Sequence, residues 1–254
     1  MKYLQEISQK ETQTKIDMEA RMRRGLPTKK SIHGAKHIIA VASGKGGVGK
    51  STLATNLALA IASFCHRVGV LDADIFGPSI PRLLNLKAEP QTSEKGDLIP
   101  LANFGVKAMS MGFLVGKDSP IVWRGLTESD ESISTIASSS TMGKLDLLVI
   151  DMPPGTGDTQ LTISQQIVLD GIVIVSTPQD IALVDARKGA NMFTKVNVPH
   201  KVHIFGQDGV LKTSKEMGLD YLGNIPLDAN ICELSDFGTV VTKPDSFNAQ
   251  CYKE

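Results

Sequence analysis

The stretch SGKGGVGKST, residues 43–52, decides the fold of this 254-residue chain. From Gly44 to Ser51 it fits the P-loop pattern G-x-x-x-x-G-K-[ST], which holds nucleotide phosphates. An apolar, β-prone run (IIAVA, residues 38–42) precedes it, and a run typical of a helix (LATNLALAI, residues 53–61) follows it. Strand, glycine loop and helix in this order favour a phosphate site over a glycine-rich turn that binds nothing. The sequence therefore predicts a nucleoside triphosphate site.

The residues of this loop have separate predicted roles. Its glycines allow several backbone N–H groups to face one anion, and the following helix adds its positive dipole end. Lys50 is expected to reach the β and γ phosphates, and the Ser51 hydroxyl is expected to be a ligand of Mg²⁺. The residues predicted to contact the nucleotide are Gly44, Lys45, Gly46, Gly47, Val48, Gly49, Lys50, Ser51 and Thr52.

A second phosphate-linked motif is LLVID, residues 147–151, an apolar strand that ends in a carboxylate. Beside a P-loop, Asp151 is expected to hold Mg²⁺, in part through water, rather than to act as a simple strand-end cap. The segment MPPGTGD follows directly, and its paired prolines restrict the backbone while Gly155 permits close approach to a phosphate. We expect this loop to sense the γ-phosphate and to relax after hydrolysis.

The third motif is LDADIFGPS, residues 71–79. In an extended segment, alternation places Asp72 and Asp74 on the same face. We assign Asp74 to the attacking water and Asp72 to support of the metal shell. Positioning and charge stabilisation dominate phosphoryl transfer, so Lys45, Lys50 and Asp74 are predicted to be the catalytic residues, and slow turnover is expected.

Composition narrows the possible partners. The formal net charge is zero and aromatic residues make up 5%, so the sequence offers neither a basic footprint nor a stacking surface for nucleic acid. Continuous apolar stretches are too short to span a membrane. The three cysteines, at positions 65, 232 and 251, form no C-x-x-C pair and no disulfide framework, which suits a reducing compartment.

The chain is expected to divide into a polar N-terminal arm, residues 1–30, and one ATPase domain, residues 31–254. The arm contains the basic cluster RMRR but also four acidic residues, whereas a mitochondrial presequence is poor in acids. No intact targeting peptide is readable, and a solvated helical arm is the expectation.

The order of the remaining elements predicts an α/β fold, a doubly wound, mostly parallel sheet of the P-loop NTPase type. Continuous Val/Ile/Leu runs suit strands that are buried on both faces. The predicted strands are 38–42, 68–71, 106–109, 147–150 and 172–175, and the predicted helices include 51–63 and 181–195. Residues 201–205 are predicted to form only a short edge strand, because the apolar strand that should follow the second helix is missing. Residues 127–141, which are serine-rich, lack an apolar stripe.

These motifs together resemble the Mrp/ApbC family of ATPases, which carry iron–sulfur clusters to recipient proteins. Within it, the mitochondrial NUBPL-type branch, which serves respiratory complex I, is the most similar. The likeness covers about residues 24–245. It is specific because the related MinD and ParA proteins lack the sequences GPSIP and DMPPGTGD. The matching stretches are 24–27, 43–52, 71–81, 109–114, 122–126, 146–162, 175–192, 203–206 and 222–227.

This resemblance implies ATP and Mg²⁺ as cofactors and a homodimer as the working form. Lys45, the second lysine of the P-loop, marks the "deviant" P-loop ATPases, in which it reaches the partner's nucleotide; otherwise it is a solvated loop lysine. The implied partners are iron–sulfur recipient proteins. The implied location is the mitochondrial matrix, or the cytoplasm if the missing transit signature is genuine.

The chain also departs from the family. Relatives carry a core strand, an Asn-Met pair and a Cys-Pro-x-Cys motif between the equivalents of Pro199 and His203, and the two cysteine pairs of a dimer hold a [4Fe–4S] cluster. This chain lacks all three, and Asn191-Met192 lies in the preceding helix, so no iron–sulfur ligand is predicted. Two rivals remain: a cluster-free protein that dimerises with a full-length relative, and a MinD-like positioning ATPase. The second would need an amphipathic membrane helix, which residues 245–252 do not provide.

Overall fold

The computed structural model describes residues 29–74, 77–94, 97–113, 142–155, 157–196, 198, 200–204, 209–225 and 252. Most of the predicted N-terminal arm and the serine-rich stretch 127–141 lie outside the described residues. Cys232 and Cys251 also lie outside them. The division of the chain at residue 30 therefore stays a prediction.

The P-loop stands between a buried strand and a helix, as the sequence predicts. Strand β1 (Ala35–Ser43) leads into the loop, and helix α1 (Lys50–Ser63) leaves it. The further strands are β2 (Val68–Asp72), β3 (Gln91–Thr92), β4 (Leu98–Ile99), β5 (Leu101–Asn103), β6 (Val106–Ser110), β7 (Leu145–Asp151), β8 (Gly171–Ser176) and β9 (His200–Ile204). The further helices are α2 (Ile80–Leu83), α3 (Asp158–Gln166), α4 (Asp180–Lys195) and α5 (Gly209–Glu216).

Seven of the described strands form one sheet in the order β5-β6-β2-β7-β1-β8-β9. All neighbours in it are parallel except β5 and β6, so the predicted doubly wound, mostly parallel α/β fold is confirmed. The register pairs Asp72 with Asp151 and Asp151 with Val41. The carboxyl ends of β1, β2 and β7 therefore meet at one edge, where ligands of such sheets bind.

The apolar strand runs are explained by two core clusters, one on each face of the sheet. Ala40, Leu148 and Ile150 belong to the cluster that contains side chains of α3 and α4. Val41 and Val149, the alternating neighbours, belong to the cluster that contains side chains of α1 and α2. Because β1, β2, β6, β7 and β8 each contribute to both clusters, these strands show continuous rather than alternating hydrophobicity in the sequence.

The segment after α4 supplies the outermost strand. Strand β9 pairs in parallel with β8 and has no partner on its other side among the described strands. The predicted edge strand is thus found, beginning one residue earlier than expected. The position beside β8 is filled by residues that follow the departure from the family pattern, and Asn191 and Met192 lie within α4, as predicted.

Three short strands were not predicted. Strands β3 and β4 form a separate antiparallel pair, and β5 adds to β6 in antiparallel orientation. Each has two or three residues, which is too short for a periodic pattern to appear. No helix in the described part of the chain is long and apolar enough to cross a bilayer.

Candidate functional site

The P-loop backbone is open towards solvent at the start of α1. Gly47 and Gly49 have φ angles of 76° and 86°, in the left-handed region that favours glycine. A Cβ built on Gly47 would meet nothing within 4 Å, and no side chain caps the first turn of α1. Free N–H groups at a helix N-terminus are a ready anion site. The loop therefore presents the geometry that a phosphate needs.

The first residues of the loop are held by the segment that follows β7. The Ser43 carbonyl accepts hydrogen bonds from the Gly155 amide at 2.9 Å and from Gln160 Nε2 at 3.2 Å. Gln160 Nε2 also donates to the Pro153 carbonyl at 2.6 Å. A Cβ on Gly44 would lie 2.5 Å from Asp185 Cβ on α4, so only glycine fits there. The start of the P-loop is thus hydrogen-bonded to Gly155 and to Gln160 of α3.

Lys50 and Asp151 form a buried ion pair beneath the loop. Lys50 Nζ lies 2.6 Å from Asp151 Oδ1, and the two side chains are 7% and 0% exposed. The same ammonium lies 3.2 Å from the Ser51 hydroxyl oxygen. An ion pair this deep is retained only when each charge is compensated. The residues predicted to hold phosphate and metal are therefore brought together by the fold.

One oxygen of Asp151 is left without a hydrogen bond. Asp151 Oδ2 is buried and has no partner among the described residues. Burial raises the pKa of Asp151, and the Lys50 ammonium and the Ser51 hydroxyl oppose that rise. A buried carboxylate oxygen beside a serine hydroxyl is a donor set that suits Mg²⁺, which prefers oxygen ligands. The residues present therefore fit the predicted metal.

Asp72 is placed behind the site rather than in it. Its Oδ1 accepts from the Asp74 amide at 3.1 Å, and its Oδ2 accepts from the Ile80 amide at 3.3 Å and from Ser110 Oγ at 3.0 Å. Burial, together with the nearby charge of Asp151, raises the pKa of Asp72 to about 7. With both oxygens engaged by protein donors, Asp72 is suited to hold its neighbours in place.

Asp74 reaches the open side of the site. Its side chain is partly exposed, its Oδ1 accepts from the Gly77 amide at 3.2 Å, and it lines a cavity of about 820 Å³. P-loop residues line this cavity together with Asp74 and Arg82. Of the predicted nucleotide contacts, the cavity is lined by Gly46, Gly47, Gly49, Lys50, Ser51 and Thr52.

The other predicted contacts lie outside the cavity lining. Lys45 Nζ donates to Gln179 Oε1 at 2.9 Å, at the start of α4. The Val48 side chain is buried in the core cluster on the α1 face. Gly44 packs on α4, and Gly155 reaches the Ser43 carbonyl. These residues lie around the loop without lining the cavity.

Sequence reasoning missed three polar residues that support the site: Gln160, Gln179 and Ser110. Gln160 and Ser43 are 117 residues apart, and Ser110 and Asp72 are 38 apart. None of the three belongs to a phosphate-binding sequence pattern, and it is the fold that brings them to the site. A weak signal existed for Ser110, because it ends an apolar strand as Asp72 and Asp151 do.

The described residues contain no group of three or more His, Cys, Asp or Glu side chains arranged to hold a metal ion. Cys65, which follows α1, is exposed and has no disulfide partner. A [4Fe–4S] cluster is held by several thiolates, commonly four. The part of the chain described by the structure therefore does not fit such a cluster.

The chain matches known proteins over most of its length. The model of the NUBPL iron-transfer P-loop NTPases, a ParA group, matches residues 34–201. The iron-sulfur cluster transfer protein NUBPL of Mus musculus is 50% identical over 252 residues, which covers 91% of this chain and 79% of that protein. The Arabidopsis thaliana "iron-sulfur protein required for NADH dehydrogenase, mitochondrial" is 46% identical over 250 residues, or 91% and 80% of the two chains.

A solved structure extends the match to the fold. The nucleotide-binding protein of Archaeoglobus fulgidus in complex with ADP aligns with a TM-score of 0.70 and 32% sequence identity, over 82% of this chain and 88% of that one. The family likeness read from the motifs is thus confirmed, and the family match ends within β9. This chain belongs to the NUBPL iron-transfer P-loop NTPase family.

Proposed function

We propose that this protein binds MgATP in the cavity above the P-loop, hydrolyses it slowly, and uses the cycle in iron–sulfur cluster transfer. The observation that carries the proposal is the buried Lys50–Asp151 pair beneath an open glycine loop. When nucleotide binds, the ammonium of such a P-loop lysine can pair with phosphate instead of the carboxylate. The carboxylate is then available to bind a metal ion. The family's membership among P-loop NTPases supports this reading.

Mg²⁺ would be held by the Ser51 hydroxyl and by Asp151, directly or through water. When bound, the ion supplies charge neutralisation between phosphate oxygens. Lys50 binds the β and γ phosphates, and the amides of Gly47 and Gly49 orient them. Asp74 lines the same cavity, and its role is to orient a water molecule towards the γ-phosphate. Asp72 lies behind Asp74 and accepts a hydrogen bond from the Asp74 amide, which holds the backbone of Asp74 in place.

We expect the loop that follows β7 to change its conformation with the bound nucleotide and so to alter the protein surface. Loss of the γ-phosphate returns Lys50 to Asp151, the arrangement in which the Gly155 amide is bonded to the Ser43 carbonyl. Because the Gly155 amide and Gln160 both bond to the Ser43 carbonyl, movement of the P-loop is transmitted directly to α3. Order and relaxation of such loops on hydrolysis is a common switching device.

We further propose a homodimer that forms over the start of α4. Ile181 and Val184 are 75% and 50% exposed, and they lie one turn apart on the same side of α4. Lys45 is bonded to Gln179 beside them, so a second copy on this surface would bring the Lys45 of each chain towards the partner's cavity. Exposed apolar side chains next to a polar site favour a protein contact.

The names of two relatives suggest the pathway. The mouse protein is called a cluster transfer protein, and the Arabidopsis protein is required for NADH dehydrogenase in mitochondria. We propose the same recipient class, the iron–sulfur subunits of respiratory complex I, and the mitochondrial matrix as the location. Recipient proteins are the expected partners, and neither nucleic acid nor a membrane span enters the proposal.

A second candidate function is favoured by one feature of the sequence. The three cysteines form no C-x-x-C pair, so the chain lacks the thiolates with which relatives are expected to hold their cargo. A chain with a complete nucleotide site and no cargo site would act as a cluster-free subunit, one that dimerises with a full-length relative and regulates it. The Asn-Met pair that relatives carry near the adenine is also missing from this chain, and its loss would weaken the selectivity for ATP over other nucleoside triphosphates.

Replacing Asp74 with asparagine tests the hydrolytic part of the proposal. A group that orients water acts mainly in the transition state, so the kcat of Asp74→Asn should fall about tenfold or more while the Kd for MgATP stays within roughly threefold. Steady-state phosphate release and calorimetric titration with MgATP measure the two quantities. An equal loss in both would move Asp74 into the metal or phosphate shell.

A further inference from the structure

The end of strand β6 is linked to the nucleotide site through one side-chain hydroxyl, that of Ser110, which contacts Asp72. Ser110 is fully buried, and its Oγ donates to Asp72 Oδ2 at 3.0 Å. The same oxygen accepts a hydrogen bond from the Gly112 amide at 3.1 Å. The Gly112 amide uses one of the two acceptor sites of the hydroxyl, and the single hydroxyl proton is directed to Asp72 Oδ2. Ser110 Oγ is thus both donor and acceptor, and it links the backbone after β6 to the Asp72 carboxyl group.

Asp72 in turn fixes the backbone that carries Asp74. Its two oxygens accept from the amides of Asp74 and Ile80, so one buried carboxylate ties together the two ends of the segment that lines the cavity. Among the donors described, Ser110 is the side chain that keeps this carboxylate in one rotamer. Buried polar networks are rigid when every member is satisfied.

A second contact joins the same two regions. A Cβ built on Gly112 would lie 2.4 Å from Pro78 Cγ and 2.5 Å from Pro78 Cβ. The backbone after β6 thus packs directly on the segment between Asp74 and Ile80, and a side chain larger than hydrogen at position 112 would displace it. Hydrogen bond and packing together attach the cavity wall to the end of β6.

We propose that Ser110 is a positioning residue for ATP hydrolysis, which fixes the Asp72 carboxylate and, through it, the backbone of Asp74. The inference rests on the proposed hydrolysis of ATP and deepens it by assigning a role to a strand that carries no phosphate-binding motif. Ser110 does not line the cavity, so it acts on the geometry of the water-orienting group and not on the binding of nucleotide.

The test compares Ser110→Ala with Ser214→Ala. Both serines are buried, and Ser214 Oγ donates to the Leu211 carbonyl at 3.0 Å on α5, away from the site, so its loss controls for the deletion of a buried hydroxyl. In Ser110→Ala the kcat should fall about tenfold with the KM for ATP changed less than threefold, and Ser110→Thr, which keeps the hydroxyl, should recover most of it. Ser214→Ala should match the parent.

Amide exchange in the absence of nucleotide provides a readout that does not need turnover. The Asp74 and Ile80 amides should exchange roughly tenfold faster in Ser110→Ala, while amides of β8 keep the parent rate. The effect should be absent when Ser110→Ala is added to Asp72→Asn, because both changes break one network.

Unchanged exchange and kcat in Ser110→Ala, or effects of Ser110→Ala and Asp72→Asn that simply add, would overturn the assignment. A parent protein without ATP turnover would reject the proposed function, and the exchange comparison would still decide the role of Ser110.

Discussion

Replacing Lys50 with alanine is expected to weaken the binding of MgATP by at least roughly 100-fold. Lys50 is the deepest cation in the cavity lining, and its ammonium is held 2.6 Å from Asp151 by the fold. A charged hydrogen bond to phosphate contributes about 1.5–3 kcal/mol, and a lysine that bridges two phosphates makes more than one. Calorimetric titration of the variant with MgATP measures the loss.

Two further variants keep this test interpretable. Lys50→Ala leaves Asp151 buried without its partner, which can cost about 3–5 kcal/mol of folding stability. Adding Asp151→Asn removes that unpaired charge, so the double variant should regain stability without regaining ATP affinity. Lys87→Ala, at an exposed lysine outside the cavity lining, is the matched control and should bind like the parent. ATP binding by a folded Lys50→Ala equal to that of the parent would refute the site assignment.

The second large effect concerns the cluster. Anaerobic reconstitution with iron and sulfide should leave this chain without stable cluster absorbance, whereas a family member that carries a C-x-x-C pair should form a [4Fe–4S] cluster between two subunits. Four thiolates in fixed geometry are commonly needed, and this chain supplies three separate cysteines of which Cys65 is exposed at the end of α1.

The outcome separates the two proposed functions. No cluster in the isolated chain, together with cluster transfer in mixtures with a full-length relative, supports the cluster-free subunit. A stoichiometric cluster that is lost on replacement of Cys232 or Cys251 would show that the chain carries cargo by itself. Sequencing of the transcript across the Pro199–His200 junction is a companion test, because a Cys-Pro-x-Cys segment found there would make this chain a truncated product of an ordinary carrier.

Much of the fold was predictable because its core strands are long and buried on both faces. Continuous runs such as IIAVA and LLVI leave few alternatives to a parallel sheet, and the P-loop fixes which strand precedes which helix. The short strands β3, β4 and β5 were not predictable, since two or three residues carry no period. Strand β9 was predicted as an edge because no continuous apolar run follows α4, and its place at the end of the described strand order agrees.

The candidate site was predictable only where its residues belong to a local sequence motif. Lys50, Ser51 and Asp151 belong to patterns whose spacing follows from phosphate geometry, and the fold brings them together. Ser110 and Gln160 act through other protein groups across 38 and 117 residues of chain, so no local pattern marks them. The position of Asp72 was also not predictable from a local pattern. Alternation along the strand places Asp72 on the same face as Asp74, but in the structure Asp72 does not line the cavity and instead accepts a hydrogen bond from the Asp74 amide.

The central claim, that Lys50, Ser51 and Asp151 form an MgATP site, is tested most directly by the Mg²⁺ dependence of ATP binding. ATP is titrated into the parent protein and into Asp151→Asn, once with saturating Mg²⁺ and once with excess chelator. Mg²⁺ should raise the affinity of the parent by roughly tenfold or more, and this gain should largely disappear in Asp151→Asn, since the amide has no negative charge and has nitrogen in place of one carboxylate oxygen. Equal affinity of the parent with and without Mg²⁺, or a gain that survives in Asp151→Asn, would contradict the account.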